Sequence, residues 1–212
     1  MSFGAEWKQP SHARRWAARR ARLPHRDEAE SILIEHLLPD RVERVLDLGT
    51  GDGHLLALIR EARPGVEAVG LDLSAPMLEA ARERFSAEDR VELLDHDLMQ
   101  RLPADLGTFD LAVSALAIHH LPDERKRKLY SELLGVLRPG GAFCNFDVTA
   151  APTPSLHLRA QAAFGWGPEG QDPSDQLCPL DTQLAWLRDI GFRDVDCHWK
   201  WLELALLAGV KP

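Results

Sequence analysis

The run Val45-Leu46-Asp47-Leu48-Gly49-Thr50-Gly51-Asp52-Gly53 constrains the chain more than any other segment. A short stretch of buried-strand character leads into a turn with glycine at every second position, and a helical pattern begins near His54. Glycine removes the side chain where backbone must turn sharply and approach a ligand. A helix opening directly after such a turn offers unpaired N–H groups to a polar or anionic group. In open α/β sheets this strand, turn and helix unit sits at the carboxyl end of a central strand, where nucleotide-like ligands bind.

The flanking pattern predicts such a sheet. Strands are expected at residues 42–48, 66–71, 91–94, 109–114 and 142–148, with helices at 53–62, 74–85 and 123–137 between them. Short strands alternating with helices imply right-handed crossovers and a mostly parallel sheet covered on both faces. An amphipathic helix at 26–38, stopped by Pro39, precedes the alternation. Beyond it come a helix at 182–190, stopped by Gly191, and strands at 192–199 and 201–208, close enough to form a closing hairpin. The Pro- and Gly-rich stretch between Val148 and Asp181, which carries Phe164 and Trp166, reads as a long loop of the functional or disordered kind. The expected fold is α/β and doubly wound, Rossmann-like.

Composition sets the class. With 212 residues, 45% of them hydrophobic and 27% charged, the chain can bury one substantial core, and one main domain is expected. No stretch matches the roughly 18 apolar residues of a membrane helix, and no secretory h-region opens the sequence, so a soluble cytoplasmic protein is expected. Cys144, Cys178 and Cys197 form no CxxC pair and read as buried thiols, with neither a disulfide framework nor a metal site. The net charge of −8 divides unevenly: residues up to Arg26 carry +6 and the remainder −14. An acidic body argues against a nucleic-acid partner. The basic stretch at 11–22 fits a solvated or docking helix, an Arg-rich transit segment or an RNA contact, and charge alone does not separate these.

Residues around the glycine turn refine the ligand. The dinucleotide fingerprint is GxGxxG, whereas the spacing here is GxGxG with Asp47 two residues before the first glycine. That acid repels a pyrophosphate, which disfavours a nicotinamide oxidoreductase, and suits a ligand carrying an ammonium and a sulfonium, as S-adenosyl-L-methionine does. Asp72 ends the second strand, where a carboxylate accepts both ribose hydroxyls. The plain alternatives are a helix cap shared with Ser74 for Asp72 and a polar strand end for Asp47.

With these residues in place the sequence resembles the class I S-adenosylmethionine-dependent methyltransferases, in particular their small-molecule branch. Asp47 to Gly53, including Gly49 and Gly51, look like the glycine-rich first motif, and Asp72 with Leu73 like the ribose and adenine contacts. Asp97 and Leu98 are similar to the adenine segment. Phe109 to Leu121 resembles the fourth-strand motif, with Ser114 on the cofactor side, and Leu137-Arg138-Pro139-Gly140-Gly141 the turn before the fifth strand. The resemblance implies a seven-stranded sheet with an antiparallel last strand, S-adenosyl-L-methionine as cofactor and methyl transfer to a small-molecule acceptor. The alternative is a methyltransferase-like module that holds cofactor or partner without catalysis. The corner Ser114-Ala115-Leu116-Ala117 lacks the signature of nucleobase-amine methyltransferases. Residues 41–212 form the expected cofactor-binding domain, and residues 1–40 a lid or docking unit.

His119 and His120 follow the fourth strand and are the candidate catalytic residues. Neighbours in extended chain face opposite ways, so at most one of the two is expected to reach the acceptor. An imidazole there can take a proton from a hydroxyl or amine, or can simply hold the loop by a backbone hydrogen bond. Trp16, Phe164 and Trp166 suit an aromatic lid or satellite core packing, and Trp186, Trp199 and Trp201 packing.

Overall fold

A computed structural model describes residues 7, 9, 11, 23–165, 172 and 174–212. Its strands are β1 (Arg44–Leu48), β2 (Glu67–Asp72), β3 (Val91–Asp95), β4 (Phe109–Ala115), β5 (Leu137–Val148), β6 (Arg193–Trp201) and β7 (Leu204–Val210). They form one sheet in the order β3-β2-β1-β4-β5-β7-β6. The first five are parallel, and β7 runs antiparallel to both β5 and β6. This is the doubly wound seven-stranded sheet with an antiparallel last strand that the sequence predicts.

Alternation along the strands explains why both faces need cover. In β1, Val45 packs into one apolar layer while Leu46 and Leu48 pack into the other. In β5, Cys144 and Phe146 face the first layer and Phe143 the second. Helix α1 (Arg26–Ile32) and α2 (His54–Ala62) close the first layer through Ala29, Leu55, Leu56 and Ile59. Helix α3 (Ala75–Arg84) lies beside β2 and β3. Helix α4 (Asp123–Val136) closes the second layer with Leu129, Tyr130 and Leu133, beside α6 (Leu180–Ile190) with Leu184 and Leu187. Tyr130 also donates to Gln183 Oε1 at 2.6 Å, so the polar end of the largest buried side chain is satisfied between these two helices.

Three expectations are corrected. The stretch read as a loop after β5 contains helix α5 (Pro154–Ala163). Its start is a cap: Thr153 Oγ1 accepts from the Leu156 N–H at 3.3 Å, and Pro154 occupies the first turn. Proline breaks a helix interior but suits its first position, and counting it as a breaker hid the helix. The single helix expected at 26–38 is α-helical only through Ile32 and continues as a π-turn over Leu33–Leu37. The hairpin turn falls at Leu202 and Glu203, because Trp201 still pairs with Leu204.

Apart from Ser11, the basic stretch at 11–22, with Trp16, lies outside the described residues, as does Trp166. Phe164 is buried in the first apolar layer and packs on Trp201 with ring centroids 5.5 Å apart, so it belongs to the core. No helix among the described residues is long and apolar enough to cross a membrane.

Candidate active site

The carboxyl ends of the parallel strands bring the candidate residues to one edge of the sheet. The strand order reverses between β1 and β4, and a crevice opens there in sheets of this topology. The turn after β1 lies at this crevice. Gly49, Gly51 and Gly53 all have left-handed backbone, with φ of 71°, 56° and 76°. At Gly49 a Cβ would lie 2.3 Å from the Cβ of Ala117, so glycine there is demanded by the close approach of the segment after β4.

The turn and the acid at the end of β2 form one hydrogen-bonded unit. Gly49 and Thr50 both donate their N–H to the Leu71 carbonyl, at 2.8 and 2.9 Å. The Gly51 N–H donates to Asp72 Oδ2 at 2.8 Å, and the Ser74 N–H to Asp72 Oδ1 at 2.8 Å. Burial pushes the Asp72 carboxyl up to about 6 against the opposing pull of these N–H donors. The Asp72 carboxylate thus closes a turn onto the Ser74 N–H and also sets the glycine turn, while the following helix has no side-chain cap at Ser74. Leu73 sits between the two, half-buried. Asp47 is buried in β1, between Gly70 of β2 and Val113 of β4. Ser114 is buried as well, and its hydroxyl donates to the Leu48 carbonyl at 2.8 Å, which ties β4 to β1.

After β3, Asp97 Oδ1 accepts from the Met99 N–H at 2.9 Å and shapes a tight turn. Leu98 is buried, and its carbonyl takes the Arg125 Nε–H at 2.7 Å. Arg125 is paired in turn with Glu132, so α4 anchors this segment.

The chain leaves β4 through Leu116, a non-glycine residue at φ 58°. Such a conformation costs of order 1–3 kcal/mol and persists only where the surroundings enforce it. Here the Leu116 N–H donates to the Phe146 carbonyl at 2.8 Å. The next residues, Ile118–His120, form a 3-10 turn rather than extended chain. This overturns the expectation that the two histidines face opposite ways. Their rings lie against each other, tilted by 42° with centroids 3.9 Å apart, and both meet the same carboxylate.

That carboxylate is Asp175, whose Oδ1 stands 3.5 Å from His119 Nε2 and 3.5 Å from His120 Nδ1. On the other side Asp147, from β5, accepts from His119 Nδ1 at 2.5 Å and from the His119 N–H at 2.9 Å. Burial alone would lower the His119 pKa, but the Asp147 charge and hydrogen bond, joined by Asp175, outweigh it and raise it to about 9. His119 is therefore an imidazolium at neutral pH in this arrangement. Ser174 Oγ lies 2.9 Å from His120 Nδ1. The segment is pinned: the Gln176 N–H donates to the His119 carbonyl at 2.9 Å, and Lys126 Nζ bonds the Gln176 carbonyl.

Sequence reasoning missed Asp147, Ser174 and Asp175. Asp147 did carry a signal, an acid inside the apolar run Ala142 to Val148. Asp175 carried none, lying 55 residues from His120 in a Pro- and Gly-rich stretch. From the other end of the edge, Trp7 reaches over the same crevice. Its carbonyl accepts from Ser74 Oγ at 2.7 Å, and its ring meets His120 edge-on at 5.0 Å.

Comparison with known proteins places these features in context. Residues 45–141 match a family described as a methyltransferase domain. The chain is similar to the demethylmenaquinone methyltransferase of Clavibacter sepedonicus, 33% identical over 187 residues, which cover 80% of this chain and 74% of that protein. It is also similar to the malonyl-[acyl-carrier protein] O-methyltransferase of Salmonella typhimurium, 39% identical over 77% of this chain and 61% of that protein. In fold it resembles an O-methyltransferase family protein from Burkholderia thailandensis, with a TM-score of 0.77 at 22% identity over 100% of this chain and 64% of that one. Human N-acetylserotonin methyltransferase, solved in complex with S-adenosylmethionine, superposes with a TM-score of 0.70 at 18% identity, over 99% of this chain and 58% of that one.

Proposed function

The chain belongs to the class I S-adenosylmethionine-dependent methyltransferases, and we propose that it transfers a methyl group to a small organic acceptor by in-line displacement. One observation carries this reading. The glycine turn and Asp72 form a single hydrogen-bonded cradle on the same sheet edge as the His119 and His120 cluster. A cofactor bound in the cradle and an acceptor beside the histidines then meet across one crevice.

In this assignment Asp72 accepts the ribose hydroxyls, Leu73, Asp97 and Leu98 border the adenine, and Asp47 faces the cationic end. The left-handed backbone at Gly49, Gly51 and Gly53 keeps side chains out of the way, with Ser114 fixing the strand beneath. Bound S-adenosyl-L-methionine supplies the electrophilic methyl group on its sulfonium. The protein's part is to align the acceptor and exclude water, and orientation of this kind is worth up to roughly 7–11 kcal/mol. His119, oriented by Asp147, positions the acceptor through Nε2, with the tilted His120 ring against it. Trp7 serves as a lid residue, a role supported by its reach from Ser74 to His120, while α1 belongs to the core.

The two relatives are named for different acceptors, demethylmenaquinone and malonyl-[acyl-carrier protein], so the acceptor is assigned here by class alone. The test is incubation with S-adenosylmethionine labelled in its methyl group and a panel of phenolic, enolic and carboxylic acceptors. Label is expected on a small molecule. Cofactor binding without transfer to any acceptor would favour the non-catalytic module instead.

Two outcomes are expected at Asp72. Asp72→Ala should weaken cofactor binding by about 1.5–3 kcal/mol, the worth of hydrogen bonds to a charged group, and unchanged affinity in calorimetry would refute the ribose contact. Ribose hydroxyls donate to the ionised carboxylate, so binding favours the charged form. With the free group near 6, affinity should be flat above about pH 7 and fall as pH drops through 6, roughly tenfold by pH 5. A pH-independent affinity over that range would contradict the assignment.

A further inference from the structure

We propose that His119, His120 and Asp175 bind a divalent transition-metal cation of the zinc class at the acceptor end of the crevice. The inference rests on the methyltransferase reading only in taking the neighbouring space as the acceptor's. Two imidazole nitrogens and one carboxylate oxygen converge there, all within 4.8 Å of one another. Both nitrogen-to-oxygen separations are 3.5 Å, longer than a good hydrogen bond. Ligand atoms bound at about 2.0–2.1 Å to a tetrahedral cation stand about 3.3 Å apart, so the two nitrogen-to-oxygen separations match edges of a coordination shell better than they match direct bonding.

The surroundings are those of a metal site. Asp147 accepts from His119 Nδ1 at 2.5 Å, which holds the ring with Nε2 facing Asp175, where an entering cation would displace the Nε2 proton. A carboxylate behind a ligating histidine is the usual supporting contact in metalloproteins. His120 Nδ1 faces Ser174 Oγ at 2.9 Å, and that hydroxyl has a second acceptor in Asp172 Oδ1 at 2.8 Å. Ser174 donates to Asp172, so a cation at Nδ1 leaves the serine hydroxyl with its acceptor. Asp147 and Asp175 together carry two negative charges, which a divalent ion balances with both rings neutral. The side chains of His119, His120 and Asp175 are 6%, 10% and 12% exposed, so the site is shielded on the protein side.

Three protein ligands leave at least one position open, the arrangement of catalytic rather than structural zinc. An acceptor hydroxyl or enol oxygen entering that position would have its proton made more acidic by the cation, and it would be held facing the cofactor. The inferred substrate class is thus an oxygen acceptor able to ligate a metal.

The test titrates Zn²⁺ calorimetrically into the full chain after chelator treatment, with S-adenosylmethionine titrated into the same preparation. One equivalent of Zn²⁺ should bind with micromolar or tighter affinity, and Asp175→Asn and His120→Gln should each weaken it at least tenfold while the metal-free chain stays folded. Co²⁺ should also shift the ring-proton NMR signals of both histidines in the unsubstituted chain, a readout independent of any variant. Unshifted ring signals, or Zn²⁺ binding that survives both substitutions, would overturn the proposal. Cofactor binding without Zn²⁺ binding defeats the metal site alone, whereas absence of cofactor binding defeats the methyltransferase reading.

Discussion

Gly51→Val is expected to reduce S-adenosylmethionine affinity at least a hundredfold while leaving the chain folded. Gly51 sits at φ 56°, and its N–H holds Asp72 Oδ2 at 2.8 Å. A β-branched residue is a true outlier at such an angle, with a cost of roughly 1–2 kcal/mol before any steric contact is counted. The turn relieves that strain by moving, which releases the Asp72 carboxylate from the geometry that receives the ribose. Both parts of the cradle are lost together, so the effect should exceed that of Asp72→Ala. Global stability should survive, because the penalty is small beside the 5–15 kcal/mol typical of a domain and the turn can relax toward the crevice. Calorimetry on a variant with native circular dichroism provides the check. Retained tight binding would mean that the turn does not line the cofactor site.

Asp147→Ala is expected to be the most destabilising single change near the site, by about 3–5 kcal/mol at neutral pH. Asp147 is 2% exposed, and its oxygens accept from His119 Nδ1, from the His119 N–H and from the Val148 N–H. Alanine removes the carboxylate that accepts from these buried donors. At a sensitivity of about 2–4 °C per kcal/mol for a chain of this length, the melting temperature should fall by roughly 6–20 °C. Asp147→Asn keeps an acceptor oxygen and should cost clearly less. A loss below about 1 kcal/mol in denaturant unfolding of the alanine variant would show that Asp147 does not hold His119 in place.

The fold was legible because its signals are local. The strands from β1 to β4 centre on short apolar runs bounded by glycine, proline or acid, and α4 repeats Leu129 and Leu133 on its buried side, whereas β5 begins at Leu137, inside the segment read as a turn, and not at 142. The cofactor edge was legible for the same reason: Asp47, the three glycines and Asp72 each end or follow a strand, so their place in the topology follows from their place in the sequence. What was missed depends on tertiary geometry. The shared direction of His119 and His120 comes from a 3-10 turn after the strained Leu116, which strand alternation does not reveal. Asp175 meets the histidines only because Gln176 and Lys126 pin its segment across the crevice. Helix α5 was obscured by proline at a position where proline starts helices. Gly49, expected to make room for ligand, also makes room for Ala117.

The central claim is that one crevice between β1 and β4 holds the cofactor against Asp72 and directs its reactive end to His119 and His120. A crystal structure with S-adenosylhomocysteine tests this most directly. The predicted result has both ribose hydroxyls within hydrogen-bond distance of the Asp72 carboxylate and the sulfur facing the two histidines. A ligand bound elsewhere, or one whose ribose meets no carboxylate while its sulfur points away from His119, would contradict the account.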